Sequence, residues 1–352
     1  MAEASVGVVG AGIVGLATAL ALRDRGAAVT VYERGEPGHG QSIGETRIFR
    51  HAHTDPRLIG LAARAREGWR AWEARSGLEL LAPYGVLIAG PAAPERLAAL
   101  RNAGCSAREV SLAEQAAALP VHAGFSGPVV LDEGGGPVRA RRAIEWLLAE
   151  LGSAVQGAEV LGVDGGEVLL PTGAVRHDAV ILCAGPDTPR LARQAGLELP
   201  VEHTLHLRCT FAVDGPPQPR LACLLDGSGE HGDAVYASAP AGGTRYAVGL
   251  AGPDGVLADG ETGAERLRRR LAAYARRALP GVDPRSVAEV VCRVTALPWG
   301  DDAFAAWRAG PVLAFAGNNL FKHAPVLGAL LADAALGGPV PPELEPAGSA
   351  AF

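Results

Sequence analysis

Residues 5–33, SVGVVGAGIVGLATALALRDRGAAVTVYE, decide the fold class of this chain. The apolar run at 5–9 predicts a buried strand, and the segment after Gly15 has the apolar spacing of a helix. A second apolar run, 27–33, predicts another buried strand that ends in Glu33. Together they form one strand–turn–helix–strand unit of about 30 residues, which predicts a Rossmann-like parallel sheet.

The glycines between the two predicted strands are spaced as in a dinucleotide-binding turn. Gly10 permits the tight turn, Gly12 lets a pyrophosphate approach the backbone, and Gly15 lets helix and strand pack closely. The helix N-terminus would face the diphosphate with its partial positive charge, and Glu33 is placed to accept hydrogen bonds from an adenosine ribose. The turn alone does not decide whether the cofactor is FAD or NAD. Glu33 disfavours NADP, because its carboxylate would repel the extra phosphate of that cofactor.

The composition excludes several classes of protein. The chain has 352 residues, of which 48% are hydrophobic and 20% charged, so two folded domains are expected despite 47 Gly and 26 Pro. A net charge of −6 without a long basic run argues against nucleic acid as a partner. Every long apolar run is interrupted before about 18 residues, so no membrane association is expected.

The cysteines indicate a reducing compartment. All five are widely spaced and none belongs to a C-x-x-C pair: Cys105, Cys183, Cys209, Cys223 and Cys292. A disulfide framework or a metal site is therefore not expected. The N-terminus lacks the pattern of a secretory signal, and we expect a cytoplasmic monomer.

Further periodic segments predict the rest of an α/β protein with two domains. Helices are predicted over 57–75, 94–104, 111–120, 138–152 and 263–281, and buried strands over 84–90 and 179–185. Residues 203–250 alternate short β-rich runs with Gly and Pro turns, which predicts an antiparallel sheet. We assign 1–82, 138–202 and 290–352 to a discontinuous nucleotide-binding domain, and 83–137 and 203–289 to a substrate-binding domain.

Four stretches of this sequence resemble one known family. They are Gly10 to Gly15, the segment GETRIFRHA from Gly44 to Ala52, Cys292, and Leu320-Phe321-Lys322. In this order and across most of the chain they are similar to the FAD-dependent amine oxidoreductases of the sarcosine oxidase and N-methyltryptophan oxidase family, within the D-amino-acid oxidase superfamily. The resemblance implies FAD as the cofactor.

The resemblance also implies roles for single residues on the substrate side. Arg50 matches an arginine that clamps the substrate carboxylate, a task that suits a planar two-pronged donor. Lys322, the only lysine in the sequence, matches a second cation for that carboxylate. Tyr236 matches an aromatic residue near the substrate. The alternative for Arg47 and Arg50 is that they tie loops together.

On the cofactor side, the resemblance implies that Arg47 lies beside the flavin ring and that Cys292 forms a thioether with the flavin 8-methyl carbon. The alternative for Cys292 is a plain buried cysteine, as expected for Cys183 and Cys209. The complete set of predicted cofactor-binding residues is Gly10, Gly12, Gly15, Glu33, Arg34, Ser42, Arg47, Cys292, Gly317 and Phe321.

The sequence departs from the family at four places. Ala247 stands where the family has an oxygen-activating lysine, with Arg245 or another charge as a possible substitute. Ala251 and Ile43 stand where the family has histidines, and the loop before Lys322 is about two residues short. These departures imply a remodelled substrate pocket.

The resulting hypothesis is oxidation of a C–N bond in a carboxylate-bearing amine, such as a secondary or N-methyl amino acid. Hydride passes to FAD, and O2 reoxidises the flavin to give H2O2. One alternative is an FAD-dependent dehydrogenase or a biosynthetic tailoring oxidase that acts on a larger amine, with slow use of O2 or another acceptor. Another is an NAD-dependent enzyme or a binding protein that uses the N-terminal turn alone.

Overall fold

The structure, a computed structural model, describes residues 3–258, 260–300 and 302–346. Its strands, in chain order, are β1 Ser5–Val9, β2 Ala28–Glu33, β3 Thr46–Phe49, β4 Val86–Ala89, β5 Ala107–Glu109, β6 Val129–Asp132, β7 Gly136–Arg139, β8 Val155–Gly157, β9 Gly162–Asp164, β10 Glu167–Leu170, β11 Gly173–Arg176, β12 Ala179–Leu182, β13 Glu202–Val213, β14 Cys223–Asp226, β15 Val235–Ser238, β16 Arg245–Gly252, β17 Val282–Ala296, β18 Phe304–Ala309 and β19 Val312–Gly317.

The α-helices, again given in chain order, pack mostly against the sheets. They are α1 Ile13–Asp24, α2 Pro56–Ser76, α3 Ala93–Asn102, α4 Leu112–Ala118, α5 Ala140–Leu151, α6 Thr188–Gln194, α7 Gly263–Ala278 and α8 Ala324–Ala335. Among the described residues, none of these helices has the length and apolar character needed to cross a membrane.

The chain divides into two compact units, each built from separated segments. The first comprises Met1–Ile43, Arg141–His203 and Arg293–Phe352, and the second comprises Gly44–Ala140 and Thr204–Cys292. This division differs from the predicted domains at residue 203, which was expected in the substrate-binding domain, and at residues 138–140, 290–292 and, as the largest difference, 44–82, which were expected in the nucleotide-binding domain. The reason is that β3 pairs with β7 inside the second unit, a contact between segments far apart in sequence.

The first unit contains a six-stranded sheet with the order β18-β19-β12-β1-β2-β8. All neighbouring strands are parallel except the pair β18 and β19. Because β1 and β2 are neighbouring parallel strands joined through α1, the predicted strand–turn–helix–strand unit is confirmed. Strand β2 is less buried than predicted, since only Val31 and Tyr32 of its six residues are buried. Helix α1 is buried along most of its length and packs against α8, where Gly328 allows close approach to Ala17.

The second unit contains an eight-stranded sheet with the order β17-β13-β16-β15-β14-β4-β6-β5. Strands β13 to β16 pair antiparallel, as predicted for residues 203–250. Side chains alternate between the two faces of the sheet. On β16, Tyr246, Val248 and Leu250 enter the apolar core with α7, so the residues between them face the other side. The α/β fold class with a parallel and an antiparallel sheet is confirmed.

Candidate active site

The turn after β1 is shaped so that side chains at two of its glycines would not fit. A Cβ on Gly15 would lie 1.9 Å from the carbonyl oxygen of Gly10. Gly10 has a φ of 102°, and a Cβ there would lie 2.5 Å from the carbonyl oxygen of Cys183. A Cβ on Gly12 would meet the Ser42 hydroxyl at 3.4 Å, an ordinary contact. The protein itself does not require glycine at position 12, which fits a backbone left bare for a ligand.

Polar groups around the N-terminus of α1 complete this cradle. Gly12 is the N-cap and has no side chain to offer, and the Ser42 hydroxyl accepts from the Ile13 N–H at 3.0 Å. The Glu33 carboxylate accepts from the N–H of Ala11 at 2.9 Å and from that of Gly35 at 3.0 Å. Glu33 is thereby fixed at the end of β2, with lone pairs remaining for ribose hydroxyls. The residues present fit a dinucleotide.

Arg34, the next predicted cofactor residue, forms an ion pair with Asp187 at 2.5 Å. The arginine side chain is 59% exposed, so this pair contributes little stability. The cofactor role of Arg34 stays a prediction.

The C-terminal residues of the predicted site lie on β19 and the turn before α8. A Cβ on Gly317 would lie 2.3 Å from the Cβ of Phe304, its partner in the β18–β19 pair, so packing between strands already requires this glycine. Phe321 and Lys322 are both buried in the 3-10 turn Leu320–His323. The Lys322 ammonium donates to the Asp302 carboxylate at 2.9 Å.

Asp302 is therefore a charged partner of Lys322, the lysine that was predicted to bind the substrate carboxylate. The Lys322 side chain is 3% exposed and that of Asp302 18%. The amide of Asn319 also donates to Asp302, at 2.8 Å, and Asn319 is held in a left-handed conformation with φ 54°. A buried ammonium needs such a counter-charge, because an unpaired one would be costly.

In the second unit, two guanidinium groups converge at the start of β3. Both Arg47 and Arg208 donate to the carbonyl oxygen of Thr46, at 2.8 and 3.3 Å. A Cβ on Gly44 would lie 3.1 Å from Arg208 and 3.4 Å from Arg47. Arg208 also reaches the Cys292 sulfur at 4.0 Å. These contacts bring Arg47 and Cys292, two predicted cofactor residues, into one cluster.

The charges of this cluster favour an anion. Burial and the neighbouring charge of Arg208 lower the pKa of the Arg47 guanidinium. Like charges held close together in a partly buried place are stabilised by a negative group placed beside them. Burial raises the pKa of Tyr236, while Arg208 and Arg47 oppose that shift. The phenol is thus protonated at neutral pH and able to donate a hydrogen bond to an anion.

Arg50, the predicted carboxylate clamp, makes contacts of its own in the second unit. Its guanidinium donates to the carbonyl oxygen of Ala52. It also lines a cavity of about 250 Å³ together with Arg96 and Asp226 and apolar side chains of β4 and β14. The Asp226 carboxylate accepts from Ser228 and Tyr274 inside the same unit. The cavity thus presents two arginines, and the carboxylate role of Arg50 stays a prediction.

Cysteines of this chain differ in their surroundings. Burial raises the pKa of the Cys183 and Cys209 thiols to about 12, which makes them poor nucleophiles. Cys292 instead lies beside the Arg208 guanidinium. This contact places Cys292 in the same cluster as Arg47, while its covalent role remains a prediction.

Two of the four departures from the family, Ala247 and Ala251, lie on β16, on the sheet face that carries Tyr236. Ala247 pairs with Ser238, and Ala251 pairs with His206. Arg245, considered as a substitute charge, forms an ion pair with Glu45 at 2.6 Å. The cationic group that the structure brings to Cys292 is Arg208 on β13.

Sequence reasoning missed Arg208, His206 and Asp302. The segment HLRCTFAV carries His206 and Arg208 two residues apart among apolar residues. This period of two places both on one face of a strand and could have identified them. Asp302 follows no motif, and its pairing with Lys322 depends on contacts distant in sequence.

Comparison with known proteins gives the family and the fold of this chain. The family described as "DAO: FAD dependent oxidoreductase" matches residues 5–334. A search of curated protein sequences gives no match. Among solved structures, this chain is similar to NikD, described as "an unusual amino acid oxidase essential for nikkomycin biosynthesis", with 22% identity, a TM-score of 0.80, and coverage of 96% of this chain and 95% of that chain.

Two further solved structures have the same fold. L-proline dehydrogenase from P. horikoshii is 18% identical with a TM-score of 0.80, and glycine oxidase from Geobacillus kaustophilus is 20% identical with a TM-score of 0.78. In both cases 96% of each chain is covered. At these identities the likeness is one of fold.

Proposed function

Because this chain belongs to the DAO family of FAD-dependent oxidoreductases, we propose that it oxidises the C–N bond of a carboxylate-bearing amine, such as a secondary or N-methyl amino acid. The observation that carries this proposal is the convergence of the Arg47 and Arg208 guanidinium groups on the Thr46 carbonyl oxygen, in the unit that also contains Arg50 and Tyr236. Proteins of the same fold are named for amino acids: an amino acid oxidase, a proline dehydrogenase and a glycine oxidase.

Each unit of the chain contributes its own part of the chemistry. When bound, FAD supplies the acceptor for the two electrons that leave the C–N bond. The glycine turn, Glu33 and Ser42 would hold its diphosphate and ribose. In the second unit, Arg50 would hold the substrate carboxylate and Tyr236 would donate a hydrogen bond. Such contacts orient the carbon that loses hydride, and no side chain is required as a nucleophile.

The acceptor that reoxidises the flavin separates two candidate functions. An oxidase passes the electrons to O2 and releases H2O2. A dehydrogenase or a tailoring oxidase on a larger amine uses O2 slowly or uses another acceptor. The second candidate is favoured by Ala247, which carries no charge, and by the engagement of Arg245 with Glu45. A cation near the flavin would speed reduction of O2 by stabilising its developing negative charge.

The carboxylate role of Arg50 predicts a specific loss in the variant Arg50→Gln. For an N-methyl amino acid, KM should rise about 10- to 100-fold, since a charge-assisted hydrogen bond is worth roughly 1.5–3 kcal/mol. The FAD content should be unchanged. The measurement is steady-state oxidation with air or with an artificial electron acceptor, where peroxide release identifies the oxidase. The exposed arginine of α3 gives the matched control, Arg101→Gln.

An unchanged KM in Arg50→Gln, or a loss of FAD that parallels the loss of activity, would remove the carboxylate role. Equal turnover of the same amine without its carboxylate would do so as well. Release of peroxide at the rate of substrate loss selects the oxidase, whereas turnover that depends on the artificial acceptor selects the dehydrogenase.

We also propose that Cys292 holds FAD through a thioether, supported by its contact at 4.0 Å with Arg208, which shares the Thr46 carbonyl oxygen with Arg47, the residue expected beside the flavin ring. After acid precipitation, the yellow colour of the wild-type protein should stay in the pellet. In Cys292→Ser it should move to the supernatant, whereas Cys105→Ser should behave as the wild type. Colour in the wild-type supernatant would show that FAD is bound without the covalent link.

A further inference from the structure

The Tyr236 ring crosses a neighbouring strand at a glycine. Tyr236 lies on β15, and Gly249 is its paired residue on β16. A Cβ on Gly249 would lie 2.2 Å from Cζ of the tyrosine ring and 2.5 Å from its hydroxyl oxygen. Real Cβ contacts are never this short, so any side chain at position 249 would displace the ring.

A histidine meets the ring on the far side of that strand. The sheet order β13-β16-β15 places β16 between the strands of His206 and Tyr236. Nevertheless, Nδ1 of His206 lies 3.3 Å from the Tyr236 hydroxyl, and the two ring centroids are 5.9 Å apart. The tyrosine side chain therefore spans β16 and ends in a contact with β13.

Glycine inside a strand calls for an explanation, because it weakens the strand and has no side chain to pack. Gly249 lies in the middle of β16 and is buried. Its flanking residues on the same face, Ala247 and Ala251, are small as well. The close approach of the Tyr236 ring accounts for the glycine, and the small neighbours leave the ring as the largest group on this part of the strand.

We infer that Gly249 and His206 are positioning residues for Tyr236: Gly249 provides the gap that the ring crosses, and His206 fixes the hydroxyl at the far side. This inference rests on the proposed function, in which Tyr236 faces the substrate. The tilt of one ring then sets both the space left over β16 and the direction in which the phenol can donate. By fixing the tilt of the ring, Gly249 and His206 determine which amines fit.

The first test is the variant Gly249→Ala in the full-length, FAD-loaded protein. The new methyl group should push the ring off β16 and lower kcat/KM for an N-methyl amino acid about tenfold or more, since small displacements of positioning groups have large effects on rate. FAD content should not change. Gly252→Ala is the matched control on the same strand, because its Cβ would lie 2.8 Å from Leu267 on the opposite face. It should change kcat/KM less than about twofold.

The second test asks whether both residues act through Tyr236. His206→Ala alone should lower kcat/KM by about three- to tenfold, but by less than about twofold once Tyr236→Phe has removed the hydroxyl. Likewise, Gly249→Ala should have little further effect in Tyr236→Ala, where the ring is gone. Tyr246→Phe is the control for loss of a hydroxyl, since Tyr246 donates to Ala222 on the other face.

Crystal structures of the wild type and of Gly249→Ala separate the possible failures. An unmoved ring in Gly249→Ala, or full additivity with Tyr236→Ala, overturns the inference. A displaced ring with an unchanged kcat/KM overturns the link between Tyr236 and the substrate. If the wild type oxidises no carboxylated amine, the proposed function fails, and the ring position in the two crystal structures still decides whether Gly249 positions Tyr236.

Discussion

Replacing Gly15 by alanine should yield a protein that no longer retains FAD. The new Cβ would lie 1.9 Å from the Gly10 carbonyl oxygen, so α1 must move away from the turn. That movement carries with it the first N–H groups of the helix, which are the groups that would bind the diphosphate. We expect less than about a tenth of the wild-type FAD per protein, measured from the visible absorption of the purified variant.

A second glycine gives the control for this experiment. Gly60 lies inside α2, and a Cβ there would meet nothing within 4 Å. Gly60→Ala should therefore keep its FAD and raise the free energy of unfolding by roughly 0.5–1 kcal/mol. Wild-type FAD content in Gly15→Ala would show that the turn after β1 does not hold the cofactor.

Replacing Lys322 by methionine should destabilise the first unit strongly. The change leaves the Asp302 carboxylate without the ammonium that lies 2.9 Å from it. Removing one member of a buried ion pair typically costs more than the pair contributes, because the other charge stays behind. We expect the free energy of unfolding to fall by about 3 kcal/mol, measured by denaturant titration of the FAD-loaded protein.

The double variant Lys322→Met with Asp302→Leu separates stability from substrate binding. Replacing both charges by apolar groups should restore most of the lost stability. If Lys322 holds the substrate carboxylate, as the family resemblance implies, KM stays high in the stable double variant. A KM that returns to the wild-type value would show that the lysine serves the Asp302 ion pair alone.

Local sequence patterns predicted the parts of the fold that depend on local interactions. The strand–turn–helix–strand unit was predicted because apolar periodicity and the glycine turn are both contained in about 30 residues. The assignment of residues 44–82 differed because β3 is only four residues long and pairs with β7, with Thr46 opposite Arg139. Nothing in a short strand identifies a partner so far along the chain.

In the candidate site, too, features that depend on local sequence could be predicted and contacts between distant segments could not. The cofactor cradle could be predicted, since its three glycines lie in one turn between a strand and a helix that are adjacent in sequence. The role of Gly249 could not, because it depends on two neighbouring strands and on the tilt of the Tyr236 ring. The ion pair of Lys322 with Asp302 could not be predicted either, because the two residues are 20 positions apart in sequence and come together only in the folded chain. The resemblance to a family identified the candidate residues Arg50, Cys292 and Lys322, whereas Arg208 and His206 were identified only from the structure.

The measurement that tests the central claim most directly is reduction of the bound FAD by substrate without oxygen. The FAD-loaded wild-type protein is mixed anaerobically with an N-methyl amino acid and, separately, with the same amine lacking its carboxylate. We predict that the carboxylated amine bleaches the visible flavin absorption and that its counterpart does not. Equal bleaching by both amines, or flavin that stays oxidised with every carboxylated amine while dithionite reduces it, would contradict the account.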